Sequence, residues 1–141
     1  MVVEESVVID AKMEKVWDTF TDLSCWRDWV RAAEVEAGEG ERIEEGKTLK
    51  LCFRPFSFPV HIEPRVEEVA PHRRVVWSGQ KYGVASRHEF VFEQTPKGVR
   101  LTSRETFEGP ADGAWRAVFP EGKVRQITAS ILRDIKEAAE F

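Results

Sequence analysis

Val124-Arg125-Gln126-Ile127-Thr128-Ala129-Ser130-Ile131-Leu132-Arg133-Asp134-Ile135-Lys136-Glu137-Ala138 sets Val124, Ile127, Ile131, Ile135 and Ala138 three or four residues apart, with charged side chains between them. That spacing predicts an amphipathic helix, apolar on one face and charged on the other. A helix of this length needs a partner surface of similar width, and the region from Arg31 to Gly109 reads as strands able to supply one. The expected architecture is therefore α+β, with a long final helix held against a sheet and a cavity between them.

Working back from the helix, Trp115, Val118 and Phe119 precede Pro120, which cannot sit inside an unbroken helix. A short helix, a break around Pro120 to Gly122 and then the long helix are expected. Before it, Val84 to Glu93 and Val99 to Glu108 flank the turn Thr95-Pro96-Lys97-Gly98 as a hairpin. If Gln94 faces Val99, then Glu89 meets Arg104 and Glu93 meets Arg100, giving two opposite-charge pairs on one face. A slip of one residue would turn every side chain over. The other face then pairs Phe92 with Leu101, Phe90 with Ser103, His88 with Glu105 and Ser86 with Phe107. An imidazole and a carboxylate are thus expected opposite each other on the inward face.

Val60, Ile62 and Val66 alternate with His61, Glu63, Arg65 and Glu67 as one half-buried strand. It turns at Ala70-Pro71-His72 into Arg74 to Gly79, where Val75 and Trp77 should point inward. Arg54-Pro55-Phe56-Ser57-Phe58-Pro59 reads as a proline-bounded loop with two phenylalanines, either tucked onto the core or forming a lid at a cavity mouth. From Glu34, Val35 and Ala37, the Gly38-Glu39-Gly40 turn region, Ile43, the Glu45-Gly46 turn, and Leu49, Leu51 and Phe53 suggest consecutive antiparallel strands. These glycines follow no nucleotide-loop pattern. At the start, Val2 to Ile9 reads as a strand, and Asp10 as the N-cap of a helix running to Thr21 with Met13, Val16, Trp17 and Phe20 inward. Asp22 can cap a second helix, Leu23 to Trp29, in which Trp26 and Trp29 can both face a core.

The chain has 141 residues, a formal net charge of -4 and 33% charged residues of interleaved sign. It reads as one domain, residues 1–141, with no basic field for nucleic acid or anionic membrane. No apolar run approaches membrane-spanning length, and the N-terminus carries no secretory pattern, so no stable membrane insertion and a cytoplasmic setting are expected. Cys25 and Cys52 lack the spacing of a metal knuckle or redox pair. His61, His72 and His88 lie on separate segments, so any metal site would need tertiary assembly, and neither a metal nor another cofactor is expected. A homodimer is as compatible with the sequence as a monomer.

The pair His88 and Glu105 is the one constellation suited to chemistry. A carboxylate beside an imidazole orients it and favours its charged form, so the pair can act as a general base or anchor a polar ligand group, or the two can simply satisfy each other in an apolar interior. Ser86 and Ser103 share their face without the context of a serine nucleophile.

The order of elements, with Val7-Val8-Ile9-Asp10-Ala11, Glu14-Lys15-Val16-Trp17, Thr21-Asp22 and Trp29, resembles the START-like helix-grip superfamily, also called SRPBCC or polyketide cyclase/dehydrase and lipid-transport proteins. Gly38-Glu39-Gly40, Val75-Val76-Trp77-Ser78-Gly79, His88-Glu89-Phe90-Val91-Phe92-Glu93 and Thr102-Ser103-Arg104-Glu105-Thr106-Phe107-Glu108-Gly109 extend the resemblance across the chain. Lys12, where a proline is common, and Phe119-Pro120-Glu121-Gly122 depart from the pattern. The resemblance implies a curved antiparallel sheet gripping the last helix around a hydrophobic cavity, and carries no subfamily's catalytic set.

The first expectation is a non-catalytic binder of a lipid, polyketide, quinone or sterol-like molecule, with His88 and Glu105 as polar anchor. Trp29 at the end of the second helix and Phe53, Trp77, Phe90 and Ser103 from the sheet are expected to complete the site, together with Trp115, Phe119, Ile127 and Ile131 from the tail. The second is a cyclase or dehydrase with His88 as general base oriented by Glu105. The third is a module resembling the stimulator of a heat-shock chaperone ATPase, with a filled interior and contacts through the Phe56/Phe58 loop and charges such as Arg87 and Arg100.

Overall fold

In a computed structural model, residues 1–36, 41–55 and 59–141 are described. The Gly38-Glu39-Gly40 turn and the Phe56/Phe58 loop lie outside them. Strand β1 (Val2–Ile9) leads into helices α1 (Met13–Thr21) and α2 (Leu23–Trp29), followed by β2 (Glu34–Val35), β3 (Leu51–Phe53) and β4 (Val60–Ile62). Then come β5 (Arg65–Ala70), β6 (Arg74–Lys81), β7 (Val84–Thr95) and β8 (Gly98–Glu108), a 3-10 turn at Ala114–Ala117, and α3 (Glu121–Glu140). One sheet has the order β1-β8-β7-β6-β5 and the other β2-β3-β4, and every pairing is antiparallel. The expected α+β layout of a sheet against a long last helix is what forms.

The hairpin register is the one the charge pattern predicts: Gln94 faces Val99, Glu89 faces Arg104, Glu93 faces Arg100 and His88 faces Glu105. Inward-facing Phe90, Phe92, Val99 and Leu101 are buried, whereas Glu93, Arg100 and Arg104 are exposed. Val75 and Trp77 are buried as expected.

Helix α3 packs against β1 and reaches α1 and α2. Its polar side chains fasten it: Arg125 pairs with Glu5 at 2.9 Å, Lys136 Nζ donates to the Val8 carbonyl at 2.9 Å, and the Asp10 N–H donates to Glu140 Oε2 at 2.8 Å. Asp10 is thus not the cap of α1. That helix begins after Lys12 with no side-chain cap, because Asp10 is still leaving the strand and its backbone is spoken for by α3. Asp22 does cap α2, its carboxylate accepting the Ser24 N–H at 2.9 Å. Pro120 stands at the N-cap of α3, so the break falls just before Glu121 and Gly122 is already helical.

Two strand expectations change. The run from Val60 to Glu67 is split at Glu63-Pro64, since proline has no N–H for a ladder. One half pairs with β3 and the other with β6, which lets the chain pass from the small sheet to the large one. Around Ile43 no strand forms. Ile43 donates its N–H to the Thr21 carbonyl at 2.9 Å and Arg42 bridges Asp22, so this segment braces the corner between α1 and α2. Among the described residues no helix is long and apolar enough to cross a membrane.

Candidate ligand-binding site

Half of the inner sheet face is filled and half is not. Val16, Trp17 and Phe20 of α1 pack into Phe90, Phe92, Val99 and Leu101, with the Phe20 ring 4.7 Å from that of Phe90 and 5.3 Å from that of Phe92. Farther along the same face the side chains shrink to Gly79, Ser86 and, from α3, Thr128, and a cavity of about 80 Å3 remains, counted as space open to the centre of a water molecule. Val84, His88, Glu105 and Phe107 wall it from the large sheet, and Phe53, Val60 and Ile62 from the small one. Val118, Phe119, Val124, Ile127 and Ile131 close the remaining side. A cavity of about 150 Å3 holds a benzene, so this one of about 80 Å3 has room for a few waters as it stands, and a ring-sized or larger ligand needs the walls to move. Pro55, Glu63, Gln80 and Lys81 also line the cavity. A second, more open hollow of about 360 Å3 lies over Ser78, Gly79, Gln80, Ala85, Ser86, Arg87, Thr106 and Glu108.

The polar group in the cavity is built by strand register. His88 and Glu105 face each other, and Phe90 faces Ser103 one pair farther in. His88 Nε2 lies 2.5 Å from Ser103 Oγ, and His88 Nδ1 lies 3.4 Å from Glu105 Oε2. The imidazole stacks on Phe90, centroids 4.1 Å apart, and meets the edge of Trp77 at 5.6 Å. Apolar surroundings disfavour charge on both partners. Burial brings the His88 pKa down to about 3 and the Glu105 pKa up to about 8. The expected charged form of the imidazole is therefore not the resting one. Burial favours a neutral imidazole beside a protonated carboxyl near neutral pH. His88 Nε2 is hydrogen-bonded to Ser103 and its Nδ1 faces Glu105, a cavity wall residue with a second oxygen to offer.

Of the residues singled out in the sequence, Phe53, His88, Glu105, Phe119, Ile127 and Ile131 come together around the cavity. Trp77, Phe90 and Ser103 stand behind His88 and position it. Trp115 belongs to a separate cluster with Val3, Phe107 and Phe119, its indole N–H donating to the Pro110 carbonyl at 3.2 Å. Trp29 does not line the cavity, its ring lying 5.4 Å from that of Phe141 at the far end of α3. The same alternation that marks His88 and Glu105 also marks Val84 and Phe107, and helical spacing from Ile127 and Ile131 marks Val124 and Thr128. Val60 and Ile62 reach the cavity only through the pairing of β4 with β3.

A metal site, not expected because the histidines are scattered, would need tertiary assembly, and the small sheet supplies one arrangement. Glu36, Cys52 and His61 place ligand atoms within 4.8 Å of one another.

Among solved structures, the chain is similar to the Zhui aromatase/cyclase from Streptomyces sp. R1128, at a TM-score of 0.81 and 18% identity over 99% of this chain and 93% of that one. It is also similar to TTHA0849 from Thermus thermophilus, at a TM-score of 0.79 and 17% identity over 99% and 97% of the two chains. CV1439 from Chromobacterium violaceum gives a TM-score of 0.76 at 16% identity over 100% and 99%. At such identities these likenesses establish the fold. No curated protein matches the chain. The sequence profile of the family described as polyketide cyclase / dehydrase and lipid transport matches residues 1–140. With that match along its whole length and the helix-grip arrangement around a sheet-and-helix cavity, the chain belongs to the polyketide cyclase / dehydrase and lipid transport family.

Proposed function

We propose that this chain binds a mostly apolar small molecule of one or two rings in the cavity between the sheet and α3, with a carbonyl or hydroxyl oxygen of the ligand turned toward Glu105. The supporting observation is a carboxyl in a mostly apolar wall; burial raises its pKa to about 8, and a carboxyl that keeps its proton donates a hydrogen bond to a neutral oxygen and disfavours an anion. Quinone-like and short aromatic polyketide-like molecules are the smallest of the expected classes and need the least movement of the walls. The free thiols of Cys25 and Cys52 suit a reducing, cytoplasmic setting.

Native mass spectrometry of the purified protein, beside the same sample denatured, tests for a retained molecule. Titration with 1-naphthol tests the class directly. Ile127 is half-buried at the cavity, so Ile127→Trp projects an indole into it. We expect saturable 1:1 binding that this variant weakens at least a hundredfold while Trp29→Ala changes it less than twofold. Equal binding by the Ile127→Trp variant would place the ligand elsewhere.

One observation favours a second reading, a cyclase or dehydrase of the family's kind. A carboxyl titrating near 8 is suited to proton transfer around neutrality, whereas an imidazole titrating near 3 whose Nε2 is held by Ser103 is a weak base. In such an enzyme Glu105 rather than His88 would move the proton, and Glu105→Gln would abolish turnover while sparing binding. The presence of a cavity does not favour the chaperone-stimulator reading, which expected a filled interior.

A further inference from the structure

We propose that Glu36, Cys52 and His61 form a binding site for a transition-metal cation of zinc type on the outer face of the small sheet. The β2-β3-β4 pairing sets Cys52 directly between Glu34 and His61. Glu36 continues the ladder by donating its N–H to the Lys50 carbonyl at 2.7 Å, so its side chain shares the face of Glu34 and lies diagonal to Cys52. The thiol sulfur, an imidazole nitrogen and a carboxylate oxygen all fall within 4.8 Å of one another, and His61 Nδ1 is 2.8 Å from Glu36 Oε1. Around a tetrahedral Zn2+, with Zn–S about 2.3 Å and Zn–N and Zn–O about 2.0–2.2 Å, donor atoms stand roughly 3.3–3.7 Å apart. Small side-chain rotations carry the three donors to that spacing.

The donor set selects the metal. Thiolate with imidazole suits Zn2+ and its analogues, and is a poor set for Mg2+ or Ca2+. The surroundings agree with a three-ligand site open on one side. Cys52 is 2% exposed, whereas the His61 side chain is about half exposed, leaving the fourth position to water. Arg54 pairs with Glu34, which leaves Glu36 to the other two donors. Burial, reinforced by Glu34 and Glu36 and opposed by Arg54, keeps the metal-free Cys52 protonated. Binding therefore exchanges the thiol proton for the cation: the S–H bond breaks, the proton leaves to solvent, and the sulfur lone pair forms the metal bond, with no change of oxidation state. The reverse side of these strands carries Phe53, Val60 and Ile62 of the cavity wall, so the cation would clasp that wall from outside.

Adding Co2+ to protein stripped with a chelator tests the site, because thiolate coordination produces a charge-transfer absorption in the near ultraviolet. We expect that band to saturate at one Co2+ per chain and to be displaced by Zn2+. It should persist in Cys25→Ser, vanish in Cys52→Ser, and require at least tenfold more Co2+ in His61→Ala and in Glu36→Gln, whose exposed or half-exposed side chains can be changed without unfolding the sheet. Absence of the band, its survival in Cys52→Ser or its loss in Cys25→Ser would overturn the assignment.

Discussion

Glu105→Gln is expected to make the protein progressively more stable than its parent as pH rises from about 4.5 to about 8, and the advantage should level off above that. In the unfolded chain the carboxyl ionises near its ordinary 4.5, whereas in the folded chain burial holds the proton until about 8. Between those values the native state binds more protons than the unfolded state, so stability falls with rising pH, at most by about 1.4 kcal/mol per pH unit for one group. His88 acts in the opposite sense. Its proton is taken up at about 3 when folded and at 6.5 when unfolded, so its contribution increases with pH across that interval. In the parent the two slopes oppose each other from about 4.5 to 6.5, and the loss due to Glu105 stands alone from 6.5 to 8. Glutamine removes the ionisation and keeps the shape, and the gain at pH 9 should be on the order of 2–3 kcal/mol once relaxation around the charge is allowed for. Urea unfolding of both proteins from pH 4 to 9 measures it, and titrations of groups outside this pair cancel in the difference. A difference independent of pH would mean that Glu105 keeps its ordinary pKa in the folded chain, so that burial does not hold its proton.

The second large effect is expected at the tip of the hairpin that carries this pair. Gly98 has φ +129, and a Cβ placed on it would lie 2.1 Å from the carbonyl oxygen of Ile9. No side chain can rotate away from that contact, because the atom belongs to the backbone at each end. Gly98→Ala must therefore push β1 off β8 where Ile9 pairs with Val99, or unwind the turn that sets the β7–β8 register. A loss of about 4 kcal/mol or more is expected in chemical denaturation. Gly46→Ala, also at positive φ but with open space around it, should lose about 1–2 kcal/mol. Equal losses at the two glycines would show that conformation alone, and not the approach of Ile9, makes Gly98 necessary.

These two effects also show why part of the structure could be read from the chain. The β7–β8 register followed from charge, because only one alignment puts Glu89 on Arg104 and Glu93 on Arg100, and the same alignment brings His88 to Glu105. Local signals were sufficient there. The split at Pro64 was available in the sequence as a missing N–H, but the alternation of Val60, Ile62 and Val66 across it concealed the change of sheet. Spacing placed Trp26 and Trp29 on one helix without saying which neighbour each meets, and only Trp26 reached the core, while Trp29 met Phe141. The volume of the cavity was not legible, since it depends on how far α1 fills the sheet face before Gly79, Ser86 and Thr128 leave it open. Nor was the cluster of Glu36, Cys52 and His61, whose members are brought together by three strands rather than by any motif. The pKa values belong to the same class. The pairing of acid and base suggested a charged couple, and the dryness of the surrounding Phe90, Trp77 and Phe107 reverses that preference.

The central claim is that the cavity under α3 takes a small apolar ligand whose oxygen meets Glu105. Methyl-labelled isoleucine NMR during titration with 1-naphthol reads the claim most directly, since Ile62, Ile127 and Ile131 line the cavity while Ile9 and Ile135 do not. The account predicts that the first three methyl signals shift together and saturate at one equivalent, that Ile9 and Ile135 scarcely move, and that Glu105→Leu weakens the titration tenfold or more. Shifts spread over all five of these isoleucines, or absent from the three cavity positions, would contradict it.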